Sequence, residues 1–365
     1  MDQSRRNALK GIASSATVGL AGCLGSQTVP STATTTATTT SADSETVRAA
    51  FVYHDVVGDF GWQWAHEQGR RTIEAEFEWL ETEIFEKSDP TESERRFEQY
   101  AQRGFDIIFA TSYDYMDPVY SVAPDFPDVK FEHCSGYKER ENMGRYFGRM
   151  YQPRFLSGIA AGLLTEQDDI GYVAAYPIPE VIRGINAFAL GIAEVAQDAT
   201  VRVHYTNTWS DATIESDAAE TLMGDGADVI AQHQNYPAAA QRASEAGIWA
   251  IGYNSPMGDI VGENYVTSPI WDWSVFYRDA VTQVYNERWE PDFFWKGLES
   301  GIVGLSDWGP NVPTSVIDQV KEERERILNG DQAIWAGTAY ESATDAELYT
   351  EMNDYVDNVV VDSEG

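Results

Sequence analysis

Positive charge is what this sequence has least of. Of its 365 residues, 25 are Lys or Arg against 59 Asp or Glu, and only 6 of the 25 are Lys. A formal charge of −34 repels phosphate backbones and acidic membrane surfaces, which excludes nucleic acid as a partner. Cysteine is nearly missing too: Cys23 and Cys134 are the whole complement, so no disulfide framework holds the fold. No apolar run is long enough to span a bilayer. No G-x-G-x-x-G follows a strand pattern and no Walker sequence occurs, so a nucleotide-phosphate loop is excluded. There is no H-E-x-x-H, no C-x-x-C and no G-x-S-x-G, hence no expected metal centre and no nucleophile elbow. The five histidines, His54, His66, His133, His204 and His233, are scattered. His133 stands beside Cys134, but neighbouring strand residues point to opposite faces, which separates thiol from imidazole. These absences argue for binding rather than catalysis, with no cofactor.

Acid and aromatics are there in quantity. Acidic residues are spread along the whole chain, while 43% of residues are hydrophobic and 12% aromatic, so a packed core is expected rather than an acidic disordered tail. Dense surface carboxylates stay hydrated in concentrated salt, which screens their mutual repulsion. A halophilic protein, unstable in low salt, is the expectation. Arg5-Arg6 precede a weakly apolar run from Ala8 to Gly22, the pattern of a twin-arginine export signal over residues 1–22. Leu20-Ala21-Gly22-Cys23 has the form of a lipobox, with Cys23 as the lipidated residue; a leader cut elsewhere is the alternative. Residues 23–45, rich in Ser and Thr and from Ser26 to Ser44 nearly all Ser, Thr and Ala, read as a flexible tether. The expected location is the outer face of the cytoplasmic membrane, lipid-anchored.

From Val47 onward strand and helix patterns alternate, which implies an α/β fold with mostly parallel sheets. Strands are expected at 47–53, 106–110, 129–133, 170–175, 201–206, 228–231, 248–253 and 265–268. Helices are expected at 62–77, 91–103, 150–164, 179–196, 211–223, 236–246 and 273–287. The two series predict two Rossmann-like lobes with a hinge and a cleft between them. Residues 46–166 with about 270–300 form lobe 1, 167–269 with about 301–335 form lobe 2, and 336–365 form a C-terminal helical extension.

In open α/β sheets ligands bind beyond the carboxyl ends of the strands. Those ends carry Asp59, Trp62 and Gln63, then Tyr113 and Asp117, then Trp209, Asn235, Asn254 and Trp271. Two indoles supply faces for a flat heteroaromatic ligand, and amides or carboxylates read its edge. Each Trp could instead be core, as Trp64 and Trp289 are expected to be, and Asp59 could cap the helix that begins near Trp62.

Eight stretches together give a resemblance: Gly58-Asp59-Phe60-Gly61-Trp62, Gly104-Phe105-Asp106-Ile107-Ile108-Phe109-Ala110, Phe131-Glu132-His133, Ile170-Gly171-Tyr172-Val173, Arg183-Gly184-Ile185-Asn186-Ala187-Phe188, Asn207-Thr208-Trp209-Ser210-Asp211, Gly226-Ala227-Asp228-Val229-Ile230 and Ile251-Gly252-Tyr253-Asn254. From Val47 to about Gly330 the chain resembles the basic membrane protein family of solute-binding lipoproteins, which includes purine nucleoside receptors of ATP-driven importers. The resemblance implies a type I periplasmic-binding-protein fold and delivery of ligand to an ABC permease; for binding alone a monomer suffices. It implies that Trp62 stacks on a purine, that Gln63 and Asp117 bind its edge, and that Trp209 is the second face. Where the nucleoside receptors use an Asp and a Lys for ribose, this chain has Asn254 and Trp271, which favours a free base such as adenine over a nucleoside. A sensor subunit of the same fold is the alternative; a nucleoside-processing enzyme is disfavoured by the missing nucleophile and metal cluster.

Overall fold

Two parallel sheets organise the chain, described over residues 46–362 in a computed structural model. The export signal, Cys23 and the tether lie outside the described residues. In chain order come β1 (Val47–Val52), α1 (Gly61–Glu76), β2 (Leu80–Phe85), α2 (Pro90–Gln102), β3 (Ile107–Ala110), α3 (Met116–Val122), β4 (Lys130–Cys134) and β5 (Met143–Gly148). Then follow α4 (Tyr151–Leu164), β6 (Asp169–Ala174), α5 (Pro179–Ala193), β7 (Thr200–Tyr205), α6 (Ala212–Gly224), β8 (Val229–His233), α7 (Ala238–Glu245) and β9 (Trp249–Ile251). The remainder is α8 (Gly258–Val261), β10 (Pro269–Trp271), α9 (Ser274–Tyr285), β11 (Phe293–Lys296), β12 (Val303–Leu305), α10 (Thr314–Asn329), α11 (Asp345–Thr350) and β13 (Val359–Val361).

The first sheet runs β11-β5-β4-β3-β1-β2 and the second β13-β7-β6-β8-β9, with every pairing in both parallel. β3 is buried along its whole length, which explains its uninterrupted apolar run Ile107-Ile108-Phe109-Ala110. Its Phe109 ring stacks on Phe51 of β1 at 4.5 Å, and Tyr277 of α9 closes the same cluster. Helix α9 therefore returns to the first lobe, where Tyr277 Oη meets His66 Nδ1 of α1 at 2.5 Å.

Four features differ from the sequence expectation. The chain leaves the first lobe before α4, not at Glu166–Asp169. Helix α4 packs on α5 of the second lobe: a Cβ on Gly158 would lie 2.1 Å from the Phe188 carbonyl, and one on Gly191 would lie 2.0 Å from that of Phe155. Only glycine permits so close an approach. Second, residues 336–365 are not a purely helical extension. After α11, the β-branched run Val359-Val360-Val361 pairs with β7 as an edge strand of the second sheet. Third, residues 265–268 are not a strand; β10 begins just beyond them and forms a separate antiparallel pair with β12. Fourth, β2 and β5 escape the sequence patterns. β2 lies at the edge of the first sheet, where Glu81 and Glu83 break up its apolar residues, and β5 contains two glycines.

Two buried carboxyl groups give the fold a pH dependence. Glu132 on β4 accepts a hydrogen bond from Trp289 Nε1 at 2.8 Å, and burial pushes its pKa up to about 8. Glu215 in the first turn of α6 accepts from the Asp211 N–H at 3.1 Å, and burial likewise raises it to about 8. The folded state then holds protons that the unfolded chain releases above the ordinary carboxylate range. Their contribution is complete below that range and is lost as pH rises through about 8. The melting temperature should fall between pH 6 and pH 9, and Glu132→Gln should flatten that decline. An unchanged slope in thermal melts of the variant would remove Glu132 as its source.

Candidate functional site

The carboxyl ends of β1, β3 and β4 face those of β7, β8 and β9 across the interlobe cleft, which holds a narrow, partly enclosed cavity of about 60 Å³. From the first lobe it is lined by His54 and Asp55 after β1, Trp62 and Gln63 in the first turn of α1, Ser112 and Tyr113 after β3, and Ser135 after β4. From the second lobe come Glu180 of α5, Trp209 and Ser210 after β7, His233 and Asn235 at the end of β8, and Tyr253 and Asn254 after β9.

Trp62 is fixed before any ligand arrives. Its indole N–H donates to the Thr111 carbonyl at 2.7 Å, and its ring meets His66 edge to face at 4.6 Å and Trp273 at 5.4 Å. Trp209 is held more lightly, edge to face with Tyr176 at 5.1 Å. Its carbonyl accepts the Asn235 N–H at 3.0 Å. The amides form a chain. Trp271 Nε1 donates to Asn254 Oδ1 at 3.0 Å, and Asn254 Nδ2 donates to Asn235 Oδ1 at 3.0 Å. Both Asn side chains are thereby oriented, and Asn235 keeps its own N–H donors for other partners.

The lobes touch at the rim. The Gly61 N–H donates to Ser255 Oγ at 2.8 Å, and Phe60 meets Tyr236 edge to face at 6.2 Å. Gly61 has φ +85°, and a Cβ there would sit 2.4 Å from the Asn235 carbonyl oxygen. This conformation is closed, and glycine is what lets the loop before α1 reach the other lobe.

At the second-lobe floor His233 is buried, and burial first, then Arg154 and Arg183, hold its pKa well below the usual imidazole range. Its Nε2 stands 3.9 Å from Glu180 Oε1. Burial raises the Glu180 carboxyl to about 7, partly offset by Arg183 and the Ser135 hydroxyl. No Lys or Arg lines the cavity. Such a site suits an uncharged or cationic ligand with hydrogen-bonding edges. Among the described residues no cluster of His, Cys, Asp and Glu could hold a metal ion.

Six of the nine residues singled out from the sequence converge on this cavity: Trp62, Gln63, Tyr113, Trp209, Asn235 and Asn254. Three do not. Asp59 is exposed on the rim loop and accepts no capping hydrogen bond, because the helix begins after it with Phe60 as its N-cap. Asp117 sits exposed in the first turn of α3 and pairs with Lys138. Trp271 is buried behind Asn254, stacked on Trp273 at 4.5 Å, and acts on the cavity only through the Asn254 side chain. The sequence reading missed the other eight lining residues, among them Glu180, His233, Tyr253 and Ser135. His233 ends β8, Ser135 follows β4 at once and Tyr253 lies two residues past β9, so the strand-end rule applied to every strand finds these three. Glu180 reads in sequence only as a helix-starting acid after Pro179.

The family model described as ABC transporter substrate-binding protein PnrA-like (Bmp) matches residues 46–336. A Haloferax volcanii protein provisionally named an ABC transporter glucose-binding protein, TsgA13, is 47% identical over 97% of this chain and 96% of its own length. A purine-binding protein of Brucella abortus is 36% identical over 79% of this chain and 82% of its own. Among solved structures, an ABC transporter solute-binding protein of Aeropyrum pernix superposes with a TM-score of 0.68 at 18% identity, covering 84% of this chain and 98% of that one. It shares the type I periplasmic-binding-protein architecture.

Proposed function

The chain belongs to the Bmp family of PnrA-like ABC transporter substrate-binding proteins, and from that premise we propose that its cleft captures a purine base or purine nucleoside. Membership makes it the solute-binding component of an ABC transporter, with a small-molecule ligand and a permease partner. The observation that carries the finer reading is the pairing of two indoles, Trp62 and Trp209, on one cavity whose edge is set with Gln63, Asn235 and Asn254. An amide donates and accepts at once, as a purine edge requires, and aromatic faces hold a base by stacking. The purine-binding relative from Brucella supports the same reading. Asn254 is committed to Trp271 and Asn235, which leaves it poorly suited to grip a ribose and favours a free base such as adenine.

A hexose is the second reading, favoured by the Haloferax relative's name and by the many hydroxyl, amide and carboxyl groups on the cavity wall. A sugar would lay its C–H face on the same indoles. Calorimetry in molar salt with adenine, adenosine, guanosine and glucose separates the two. Adenine should bind most tightly; binding of glucose alone would overturn the purine reading. In its cellular setting we further propose export by the twin-arginine route and anchoring through a lipid on Cys23, which mass spectrometry of the membrane-extracted protein would test.

A further inference from the structure

Glu180 is the acidic group on the second-lobe side of the cavity, and no partner from its own lobe fixes it. It lies in the first turn of α5, and its side chain is 15% exposed, toward the cleft. The donor near its carboxyl is the Ser135 hydroxyl of the first lobe, and among the described residues none of its own lobe donates to it. Arg183, one turn along the same helix, is turned away: its Nη1 donates to the carbonyls of Leu348 and Tyr349, each at 2.9 Å. His233 from β8 stands at 3.9 Å, beyond hydrogen-bond reach. We propose that Glu180 is a specificity-determining residue of the cleft, whose carboxylate accepts a hydrogen bond from an N–H or O–H edge of the ligand and turns away ligands carrying an anionic group. This rests on the cleft being the ligand site, not on which of the two ligand classes fills it.

The surroundings make this carboxyl the group that responds to pH on its side of the cavity. Burial, with Arg154 and Arg183, keeps His233 neutral, and burial raises Tyr253 and Tyr349 on the second lobe and Tyr113 and Cys134 on the first. Glu180 itself sits at about 7. A ligand that donates to it favours the carboxylate, so binding releases a proton wherever the empty site is protonated. Affinity should then rise by roughly tenfold per pH unit between pH 5 and 7 and level off above that. His54 and Asp55 line the first-lobe wall, so the test must separate Glu180 from the imidazole across the cleft.

Calorimetry from pH 5 to 9 with adenine and with glucose, on wild type, Glu180→Gln and His54→Gln, does so. Wild type should show the rise for whichever compound binds, with proton release visible as buffer-dependent heat. Glu180→Gln should lose the rise and the proton release while melting as wild type does at pH 6, and His54→Gln should keep both. Adenosine 5′-monophosphate should bind at least tenfold more weakly than adenosine. A rise that survives in Glu180→Gln, or that disappears in His54→Gln alone, would overturn the proposal. Glucose binding with a Glu180-dependent rise while adenine fails would end the purine reading and keep this one.

Discussion

Gly61→Ala should bind ligand on the order of 100-fold more weakly than wild type, a loss of about 3 kcal/mol, and still fold. The three atoms nearest to a Cβ at this position all belong to Asn235 on the other lobe, the closest at 2.4 Å. The added methyl therefore costs little in the open form and blocks the closed one. Positive φ adds strain of roughly 1–2 kcal/mol for any L-residue with a Cβ. A carbonyl oxygen on the backbone cannot move aside as the end of a side chain can. The same wedge removes the Gly61 N–H···Ser255 contact at 2.8 Å. Gly58 is the control: its φ is +62°, but a Cβ there meets nothing within 4 Å. Gly58→Ala should carry the strain alone and lose only a few-fold in affinity. Calorimetry gives the affinities, and small-angle scattering with saturating ligand shows whether the lobes still close. Wild-type affinity in Gly61→Ala would mean that closure at this rim is not needed for capture.

The two indoles should separate into one residue that serves binding and one that serves binding and fold together. Stacking of a base on an aromatic face contributes about 1–3 kcal/mol, so Trp209→Ala should cost roughly 10–100-fold in affinity. Its ring is half-buried and its close neighbour is Tyr176, so the melting temperature should barely move. Trp62→Ala should cost at least as much affinity and lower stability by about 3 kcal/mol or more, the usual result of emptying a large aromatic site. Its ring packs on His66, Trp271 and Trp273, and its N–H satisfies the Thr111 carbonyl. Trp62→Phe keeps a face for stacking while freeing that carbonyl, and should recover most of the affinity and part of the stability. If both alanine variants bind adenine as wild type does, stacking is not how this cleft holds its ligand.

The parallel two-lobe architecture was legible in the sequence because the strand and helix patterns are local and repeat. β3 reads as a buried parallel strand from four consecutive residues, and α1 begins where the Gly58–Gly61 loop ends. The strand-end rule then placed Trp62, Gln63, Tyr113, Trp209, Asn235 and Asn254 at one cavity without knowledge of how the lobes meet. It failed for Asp59 and Asp117, since a residue near a strand end can face solvent as readily as ligand. It failed for Trp271 as well, which belongs to the packing behind the site. The edge strands β2 and β13 were lost for a different reason: half of an edge strand's surroundings are solvent, so its apolar pattern is weak or short.

By itself, then, the sequence determined the acidic surface, the α/β lobes and the indole and amide groups available to a ligand, all properties of residues or of short runs of them. Only the tertiary structure decided which of those groups share a cavity. It brought Gly61 against Ser255, 194 positions away in the chain. It set Trp271 behind Asn254 to orient the amide, and left the Glu180 carboxyl facing the cleft with Arg183 turned toward the C-terminal segment. These are long-range pairings fixed by how the two lobes cross and close, and no local pattern of apolar and polar residues encodes the distance between them.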